Sequence, residues 1–277
     1  MKILNKHNLP ETLVNVTSKV YKPLPDRISV SQLINAPLVR YLTIKHWDEI
    51  EEDVSDRLWA ILGTAMHSVL KTGTPEDAFG EEKLIHKIGE ITIVGKSDLY
   101  DNGEISDWKI TSVYSFLLGI KAEWEAQLNI YKWLWEKNGF EVNSLKIHAI
   151  LRDWVKRKAK YDSKYPQIPF FSVNIPMWDA TKITEYISNR IALHFTAPIS
   201  ECTPEEKWQR PTSWAIIKGN NVRATRVLDT KKEAEEYIKR LGDKRKDFSI
   251  KERKGEDVRC ESYCLVSRFC NYYKKEE

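Results

Sequence analysis

The chain has 277 residues, of which 42% are hydrophobic and 30% are charged. This balance is typical of a globular protein with a sizeable core and argues against a disordered or fibrous chain. The formal net charge of +4 is too small by itself to predict a nucleic-acid partner. No stretch approaches the roughly 18 uninterrupted apolar residues that a membrane helix needs.

The first 22 residues lack the apolar run of a secretory signal, so we expect a cytoplasmic protein. The positive charge is concentrated near the end of the sequence. From Thr203 onward there are 19 Lys and Arg against 14 Asp and Glu, whereas the preceding residues are close to neutral. The C-terminal third therefore carries the whole excess of positive charge.

The first 202 residues alternate between helical and strand patterns. Ser29 or Ser31 can cap a helix that Pro37 should break or bend. The apolar spacing predicts a second helix over residues 55–71. Further along, the predicted elements are an antiparallel meander of strands at 84–86, 90–100 and 103–111, a helix at 122–137, a buried strand at 145–154 and a helix at 180–195. This order predicts an α/β core with a mixed sheet.

The residues after 203 predict a small lobe. Two strands near 214–218 and 223–227 are joined through Gly219-Asn-Asn221, and a helix at 231–241 and a strand at 248–253 follow them. We therefore expect a core over residues 1–202. Residues 203–277 should form a ββαβ lobe with a cysteine-rich tail that packs back on that core.

Two carboxylates and a lysine stand on the last two strands of the predicted meander. Side chains alternate along a strand, so Asp107 and Lys109 point to the same face and Trp108 points to the other. Asp98 lies on the neighbouring strand. Phosphodiester hydrolysis needs a divalent cation, which prefers carboxylate oxygens, and a group near the attacking water.

Four short patterns in this region occur in a fixed order. They are Gly63-Thr-Ala-Met-His67, Gly95-Lys-Ser-Asp98, Asp107-Trp-Lys109 and Gln127-Leu-Asn-Ile-Tyr131. Together they resemble the GxxxH, GxxD, (D/E)xK and QxxxY signature of the RecB-like PD-(D/E)XK nucleases. The resemblance implies a restriction-endonuclease-like fold, in which helices flank a mixed sheet.

The resemblance also implies roles for individual residues. Asp98, Asp107, the carbonyl of Trp108 and His67 would hold Mg²⁺ or Mn²⁺, and Lys109 would orient or activate the attacking water. Gln127 and Tyr131 are four residues apart on one helical face and would contact the substrate strand or steady Lys109. Glu81 or Glu82 could add a further carboxylate.

Ordinary structural roles remain open for several of these residues. Asp107 and Lys109 could form an exposed ion pair that contributes little free energy. His67 could be a core histidine beside Met66, and the ring of Tyr131 could serve packing alone.

A cationic run at residues 155–161, with Tyr165 nearby, suits phosphate contact and base stacking, although it could also be a solvated loop. Nothing in the sequence resembles a base-reading module. We therefore expect DNA binding that is mostly independent of sequence and steeply dependent on salt.

All four cysteines lie in the last third of the chain, at Cys202, Cys260, Cys264 and Cys270. The last three resemble the C-terminal triplet of the iron–sulfur subgroup of RecB-like nucleases. That subgroup has its fourth cysteine before a proline near the N-terminus, where this chain has Ala36-Pro37. Cys202 is then the remaining candidate for a [4Fe–4S] cluster, and a Zn²⁺ site or free thiols stay open.

The ending of the chain contains Cys202-Thr-Pro-Glu-Glu-Lys-Trp208, the hairpin at 214–227 and the cysteine tail. These segments resemble phage-encoded members of the same superfamily that are described as exonucleases. The expected function is a metal-dependent deoxyribonuclease, exonuclease rather than endonuclease, in DNA recombination, repair or phage genome processing. The alternatives are a DNA-binding module that acts with a helicase or recombinase partner, and a nuclease directed at RNA. Polarity, strand preference and oligomeric state stay open.

Overall fold

The computed structural model describes residues 1–196 and 199–273. Contacts between Cα atoms divide the chain into two compact units, Met1–Ser200 and Glu201–Glu277. The predicted lobe ends in residues 274–277, which lie outside the described residues. Across the described part, sheets are flanked by helices, so the expected α/β class is confirmed. None of the described helices is long and apolar enough to cross a membrane.

The first unit contains strands and helices in alternation. Its strands are β1 (Lys2–Leu4), β2 (Arg27–Ser29), β3 (Glu51–Asp53), β4 (Phe79–Gly80), β5 (Lys83–Ile88), β6 (Ile91–Lys96), β7 (Leu99–Asp101), β8 (Glu104–Thr111), β9 (Ser144–Leu151) and β10 (Phe170–Asn174). Its helices are α1 (Glu11–Thr17), α2 (Val30–Leu33), α3 (Pro37–Lys45), α4 (Leu58–Lys71), α5 (Val113–Leu118), α6 (Ala122–Lys137), α7 (Lys156–Tyr161) and α8 (Ala180–Ile191), which continues into a π-helical turn at Ala192–Thr196.

Two sheets organise this unit. The larger one has the order β10-β9-β8-β7-β4, in which β8 and β9 are parallel and the other neighbours are antiparallel. The smaller one has the order β2-β6-β5, and β1 pairs separately with β3. The larger sheet is mixed, as the order of predicted elements indicated.

The predicted meander is wrong in one respect. The expected strand at 90–100 is interrupted after Lys96, so its two halves, β6 and β7, belong to different sheets. Ser97 and Asp98 form the link between them. Ser97 is fully buried, and its hydroxyl accepts a hydrogen bond of 2.9 Å from the indole of Trp135. This buried contact holds the backbone of the link beside α6.

Helix α6 forms the centre of the core, because it packs against strands of both sheets. Leu128, Ile130, Leu134 and Trp135 are fully buried on it. Burying one such side chain contributes roughly 1.5–3 kcal/mol, so the helix is anchored strongly. The strand β6 approaches α6 so closely that a Cβ at Gly95 would overlap the Leu134 side chain.

The second unit forms the predicted ββαβ arrangement. Its strands are β11 (Gln209–Arg210), β12 (Ser213–Lys218), β13 (Arg226–Leu228), β14 (Phe248–Arg253) and β15 (Glu256–Asp257), and its helices are α9 (Lys231–Arg240) and α10 (Val258–Ser262). The antiparallel order is β13-β12-β14, and β11 pairs with β15. Thr230 caps α9 through a reciprocal capping box with Glu233.

Candidate active site

Asp98 and Asp107 lie side by side at the junction of the two sheets. In the antiparallel register of β7 and β8, Leu99 lies opposite Ser106. Asp98, which precedes Leu99, is therefore brought beside Asp107, which follows Ser106. Asp98 Oδ2 accepts a hydrogen bond of 2.7 Å from the backbone amide of Trp108. The two carboxylates therefore share one site, with the backbone of β8 fixing the orientation of Asp98.

His67 reaches this site from α4. Its Nδ1 lies 3.2 Å from Asp98 Oδ1, and its side chain is 31% exposed. It faces a carboxylate at a cavity wall, so its surroundings are not those of a core histidine. Burial and the negative charge of Asp107 raise the pKa of Asp98 to about 6, against the weaker lowering by the Trp108 amide, His67 and Lys109.

Lys109, Gln127 and Asp107 are linked in a closed set of contacts. Lys109 Nζ lies 2.6 Å from Asp107 Oδ2 and donates a hydrogen bond of 3.1 Å to Gln127 Oε1. The amide nitrogen of Gln127 donates to Asp107 Oδ1 at 3.3 Å. The Asp107 side chain is only 3% exposed, so this pair differs from an ordinary surface ion pair.

Tyr131 both packs and contacts the site. Its ring is buried in the core cluster, and its hydroxyl lies 3.2 Å from the amide nitrogen of Gln127. Burial raises the pKa of the Tyr131 phenol well above its usual value, with a smaller opposing effect from Gln127 and smaller raising effects from Asp107 and Asp98. The phenol is therefore neutral at physiological pH and buttresses Gln127.

The donor set suits a hard divalent cation. Two close, buried carboxylates repel each other, and a cation between them would relieve that repulsion. Asp107 Oδ2 is a buried oxygen that accepts no hydrogen bond of acceptable geometry from the described residues, although the Lys109 ammonium is near. As they stand, the described His, Cys, Asp and Glu side chains include no group of three or more arranged to hold a metal ion.

His67 and Trp108 line both of two cavities at this site. The first has a volume of about 220 Å³, and Asp98 and Glu81 also line it. Glu81 Oε2 lies 3.3 Å from Lys71 Nζ and 3.2 Å from Lys96 Nζ, and the Glu81 amide donates to the Asp98 carbonyl. Glu81, suggested from sequence as an additional carboxylate, thus lies in the cavity wall, and Glu82 is absent from the residues that line it.

The second cavity, of about 210 Å³, is bounded by Trp59, Leu62, Gly63, Met66, Lys109 and Arg152 besides the shared pair. The sequence analysis gave no role to Trp59 or Arg152. The helical spacing of Trp59, Gly63 and His67 could have signalled that they share a face of α4. No local pattern connects Arg152, which lies just after β9, with that helix.

The cationic run forms a short helix rather than a loop. Helix α7 contains Lys156, Arg157, Lys158 and Lys160, all of them exposed. Lys158 lies over the ring of Tyr165, at 5.8 Å from its centroid. The run therefore presents an exposed positive surface four residues after Arg152.

The four cysteines lie in the second unit, are free and are partly buried. Burial and Glu206 raise the pKa of Cys202 to about 12, and Cys260 and Cys270 add to that effect. The pKa of Cys260 and that of Cys264 are also raised, mainly by burial. Free thiols are the ligands that iron–sulfur and zinc sites use, but the described cysteines are not gathered into a formed ligand set.

No protein-family model matches the chain, and no curated protein matches it either. Among solved structures, the crystal structure of SSO0001 is similar at 17% identity and a TM-score of 0.49, covering 96% of this chain and 94% of that one. An alkaline exonuclease (LHK-Exo) from Laribacter hongkongensis has 10% identity and a TM-score of 0.39, covering 66% and 91%. A phage-related exonuclease from Haemophilus somnus 129PT has 16% identity and a TM-score of 0.38, covering 61% and 92%. Likenesses this distant leave function to be argued from the site.

Proposed function

We propose that the chain is a divalent-metal-dependent deoxyribonuclease whose active site contains Asp98, Asp107 and Lys109. The observation that carries the proposal is the buried cluster in which Asp98, from the link before β7, and Asp107, on β8, lie beside a lysine that Gln127 orients. Buried like charges are costly unless a cation compensates them. A phosphodiester, itself an anion, would be brought to this site only with such a cation.

The residues have distinct proposed roles. Asp98, Asp107 and the Trp108 carbonyl would hold Mg²⁺ or Mn²⁺, with His67 as a further ligand or as a group that orients Asp98. The cation would stabilise the charge on the phosphate and acidify the attacking water. Lys109 would orient that water and take part in its deprotonation.

Gln127 and Tyr131 are proposed as positioning residues. Gln127 contacts both Lys109 and Asp107, and Tyr131 supports Gln127. The exposed cations of α7 would contact phosphates along the DNA without reading its sequence. Exonuclease rather than endonuclease action rests on the resemblance in the sequence, as does a role in recombination, repair or phage genome processing.

The direct test is digestion of end-labelled linear single- and double-stranded DNA beside a closed circle. Each is incubated with Mg²⁺, Mn²⁺ or EDTA, using the wild type and the Asp107→Asn/Lys109→Ala double variant. We expect metal-dependent loss of linear DNA that the double variant abolishes. Cutting of the circle would indicate an endonuclease instead. Wild type that binds DNA but cuts none of these substrates with any divalent ion would contradict the proposal and leave a DNA-binding module.

We also propose that Cys202, Cys260, Cys264 and Cys270 hold a structural metal centre, either a [4Fe–4S] cluster or Zn²⁺. Metal binding would deprotonate thiols whose pKa is otherwise raised by burial, so the site should load more weakly at low pH. Elemental analysis for iron and zinc tests this, together with visible absorbance. Colourless protein that contains neither metal after purification under reducing, oxygen-free conditions would contradict it.

A further inference from the structure

Helix α4 is apolar but poorly covered by the rest of the protein. Its sequence from Leu58 to Lys71 contains no buried residue. Trp59 is 68% exposed, and Leu62 is 45% exposed. Neighbouring exposed apolar side chains can mark a ligand-binding groove, and Trp59 and Leu62 both border the second cavity.

Trp59, Leu62, Gly63, Met66 and His67 recur at helical spacing and line the second cavity. The row leads from the exposed indole of Trp59 to His67, which also borders the carboxylate cavity. Lys109 borders the same groove. The groove is therefore continuous with the proposed catalytic site rather than a separate surface feature.

A positively charged side chain, that of Arg152, lies beside the indole of Trp59. The guanidinium of Arg152 lies over the Trp59 ring, 5.1 Å from its centroid, and belongs to the wall of the groove. An aromatic face for a base and a cation for its phosphate are the two groups that single-strand binding sites combine. Lys109 and Arg152 give the groove the charge that a nucleotide requires.

The size and chemistry of the groove limit its occupant. Its volume of about 210 Å³ is below the roughly 300–1,000 Å³ of pockets for drug-sized ligands, so one planar base fits better than a larger molecule. Bases inside a duplex stack on one another and expose only their edges in the grooves. An indole face can therefore be used only by a base that is unpaired or splayed from an end.

We propose that this groove binds an unpaired nucleobase of the DNA strand, which stacks on Trp59 while Arg152 contacts its phosphate. The inference rests on the proposed nuclease function and deepens it. It assigns unpaired DNA, either single strands or splayed ends, as the substrate at the active site. The adjacent phosphate would then lie at Lys109 and the carboxylates.

Gly63 allows a test that does not depend on removing a side chain. A Cβ at this position would meet nothing within 4 Å, and Gly63 lines the groove, so we expect a larger side chain there to extend into the groove. Gly63→Leu should also favour helix α4, because glycine is a poor helix former. A stably folded protein with a filled groove is the expected product.

Binding is measured in the Asp107→Asn background, so that its outcome is independent of hydrolysis. The probes are a short DNA oligonucleotide with 2-aminopurine near its end, as a single strand and as a blunt duplex. The variants are Trp59→Ala, Trp59→Phe, Gly63→Leu and Arg152→Gln, and Tyr21→Ala is the matched control at another exposed aromatic residue.

We expect the single strand to bind more tightly than the blunt duplex, with its 2-aminopurine fluorescence quenched. Trp59→Ala and Gly63→Leu should weaken single-strand binding about 5- to 150-fold and abolish the quenching. Trp59→Phe should retain part of the single-strand affinity and part of the quenching, and Tyr21→Ala should retain the full affinity and the full quenching. Arg152→Gln should reduce the slope of log affinity against log salt by about one.

Unchanged single-strand affinity and quenching in Trp59→Ala and Gly63→Leu would overturn the groove proposal. An equal loss of affinity for a closed circular duplex, which has no end that can splay, would also overturn it, because a paired base cannot use the indole face. If the wild type cleaves the end-labelled DNA but Trp59→Ala does not change single-strand binding, the nuclease proposal is retained and the groove proposal is rejected. Trp59-dependent binding without any cleavage would refute the nuclease and keep the groove.

Discussion

The ammonium of Lys109 and the side-chain amide of Gln127 are joined by a hydrogen bond of 3.1 Å that links β8 to α6. Lysine only donates and a carboxylate only accepts, so the amide oxygen must face Lys109 and its nitrogen must face Asp107. Gln127 therefore fixes both partners of the ion pair. Its position on the rigid, buried α6 gives the proposed site a stable geometry.

We predict that Gln127→Leu lowers the rate of DNA cleavage by about 10- to 100-fold, as loss of an outer hydrogen-bond partner does at metal sites. Leucine has nearly the same size but cannot contact Lys109 or Asp107. Single-turnover cleavage measures the effect. The matched control is Glu136→Gln on the same helix, which removes the charge of a partly exposed ion pair with Lys132 and should leave the rate unchanged. A Gln127→Leu rate equal to wild type would show that Lys109 needs no such support.

The two buried carboxylates predict a trade-off: removing one negative charge should stabilise the metal-free protein but weaken metal binding. Asp98→Asn keeps an acceptor for the Trp108 amide but removes one negative charge from the pair. Without divalent ions, we expect the variant to be more stable by about 1–3 kcal/mol, because burial and Asp107 disfavour the ionised form. Thermal unfolding with and without Mn²⁺ measures both effects. Wild type should gain stability on adding Mn²⁺ and the variant should not. Equal gains in both proteins would remove Asp98 from the metal site.

Two glycines in the ordered patterns should respond to alanine in opposite directions. A Cβ at Gly95 would overlap Leu134 and approach Val30 at 3.0 Å and the Tyr131 ring at 3.1 Å. Gly95→Ala should destabilise the fold by about 1–3 kcal/mol through overpacking. Gly63→Ala meets open space on a helix and should stabilise by up to about 1 kcal/mol. Urea unfolding compares the pair, and equal effects would contradict the close packing of β6 on α6.

We predict that the buried His194 makes the folded protein less stable in acid. Burial, with smaller effects of the positive charges of Arg190 and Arg40, lowers its pKa to about 4, against weaker opposing hydrogen bonds to the Leu33 and Asn35 carbonyls. The unfolded chain takes up this proton near pH 6.5, before the folded protein does. The neutral histidine therefore contributes full stability above about pH 6.5, and the contribution is lost as pH falls towards 4.

The measurement is urea unfolding at pH 7.5 and pH 5 for wild type and His194→Asn. Wild type should lose about 2 kcal/mol more than the variant on acidification, since one pKa unit corresponds to about 1.4 kcal/mol. The comparison with the variant removes the contribution of other titrating groups. Parallel losses in the two proteins would mean that His194 is protonated as easily in the folded protein as in the unfolded chain.

Long periodic segments allowed the best predictions from sequence. The helix expected at 122–137 is α6 with the same bounds, and Pro37 begins α3 after the break that it was expected to cause. The ββαβ order also follows the predicted pattern, since Gly219 and the capping residues give local signals. These features depend on contacts within a few residues.

Features that depend on tertiary contacts could not be predicted in the same way. Nothing in the alternation of residues 90–100 indicates that the strand changes sheet at Ser97, because a buried indole donor from α6 holds that link. Strand β10 was not predicted from the sequence. Its pairing with β9 stabilises the strand, whereas its short sequence carries no clear strand signal. The groove beside Trp59 likewise needs Arg152, a residue distant in sequence, to become recognisable.

The most direct test of the central claim is single-turnover cleavage of labelled linear DNA across a Mg²⁺ titration, with wild type, Lys109→Ala and Asp107→Asn. We predict that the wild-type rate rises and saturates with Mg²⁺. Lys109→Ala should be slower by about 10²–10⁴-fold at saturation, and Asp107→Asn should show no saturable dependence on the ion. Cleavage by both variants at the wild-type rate, or cleavage by wild type that persists in EDTA, would contradict a metal-dependent nuclease site at these residues.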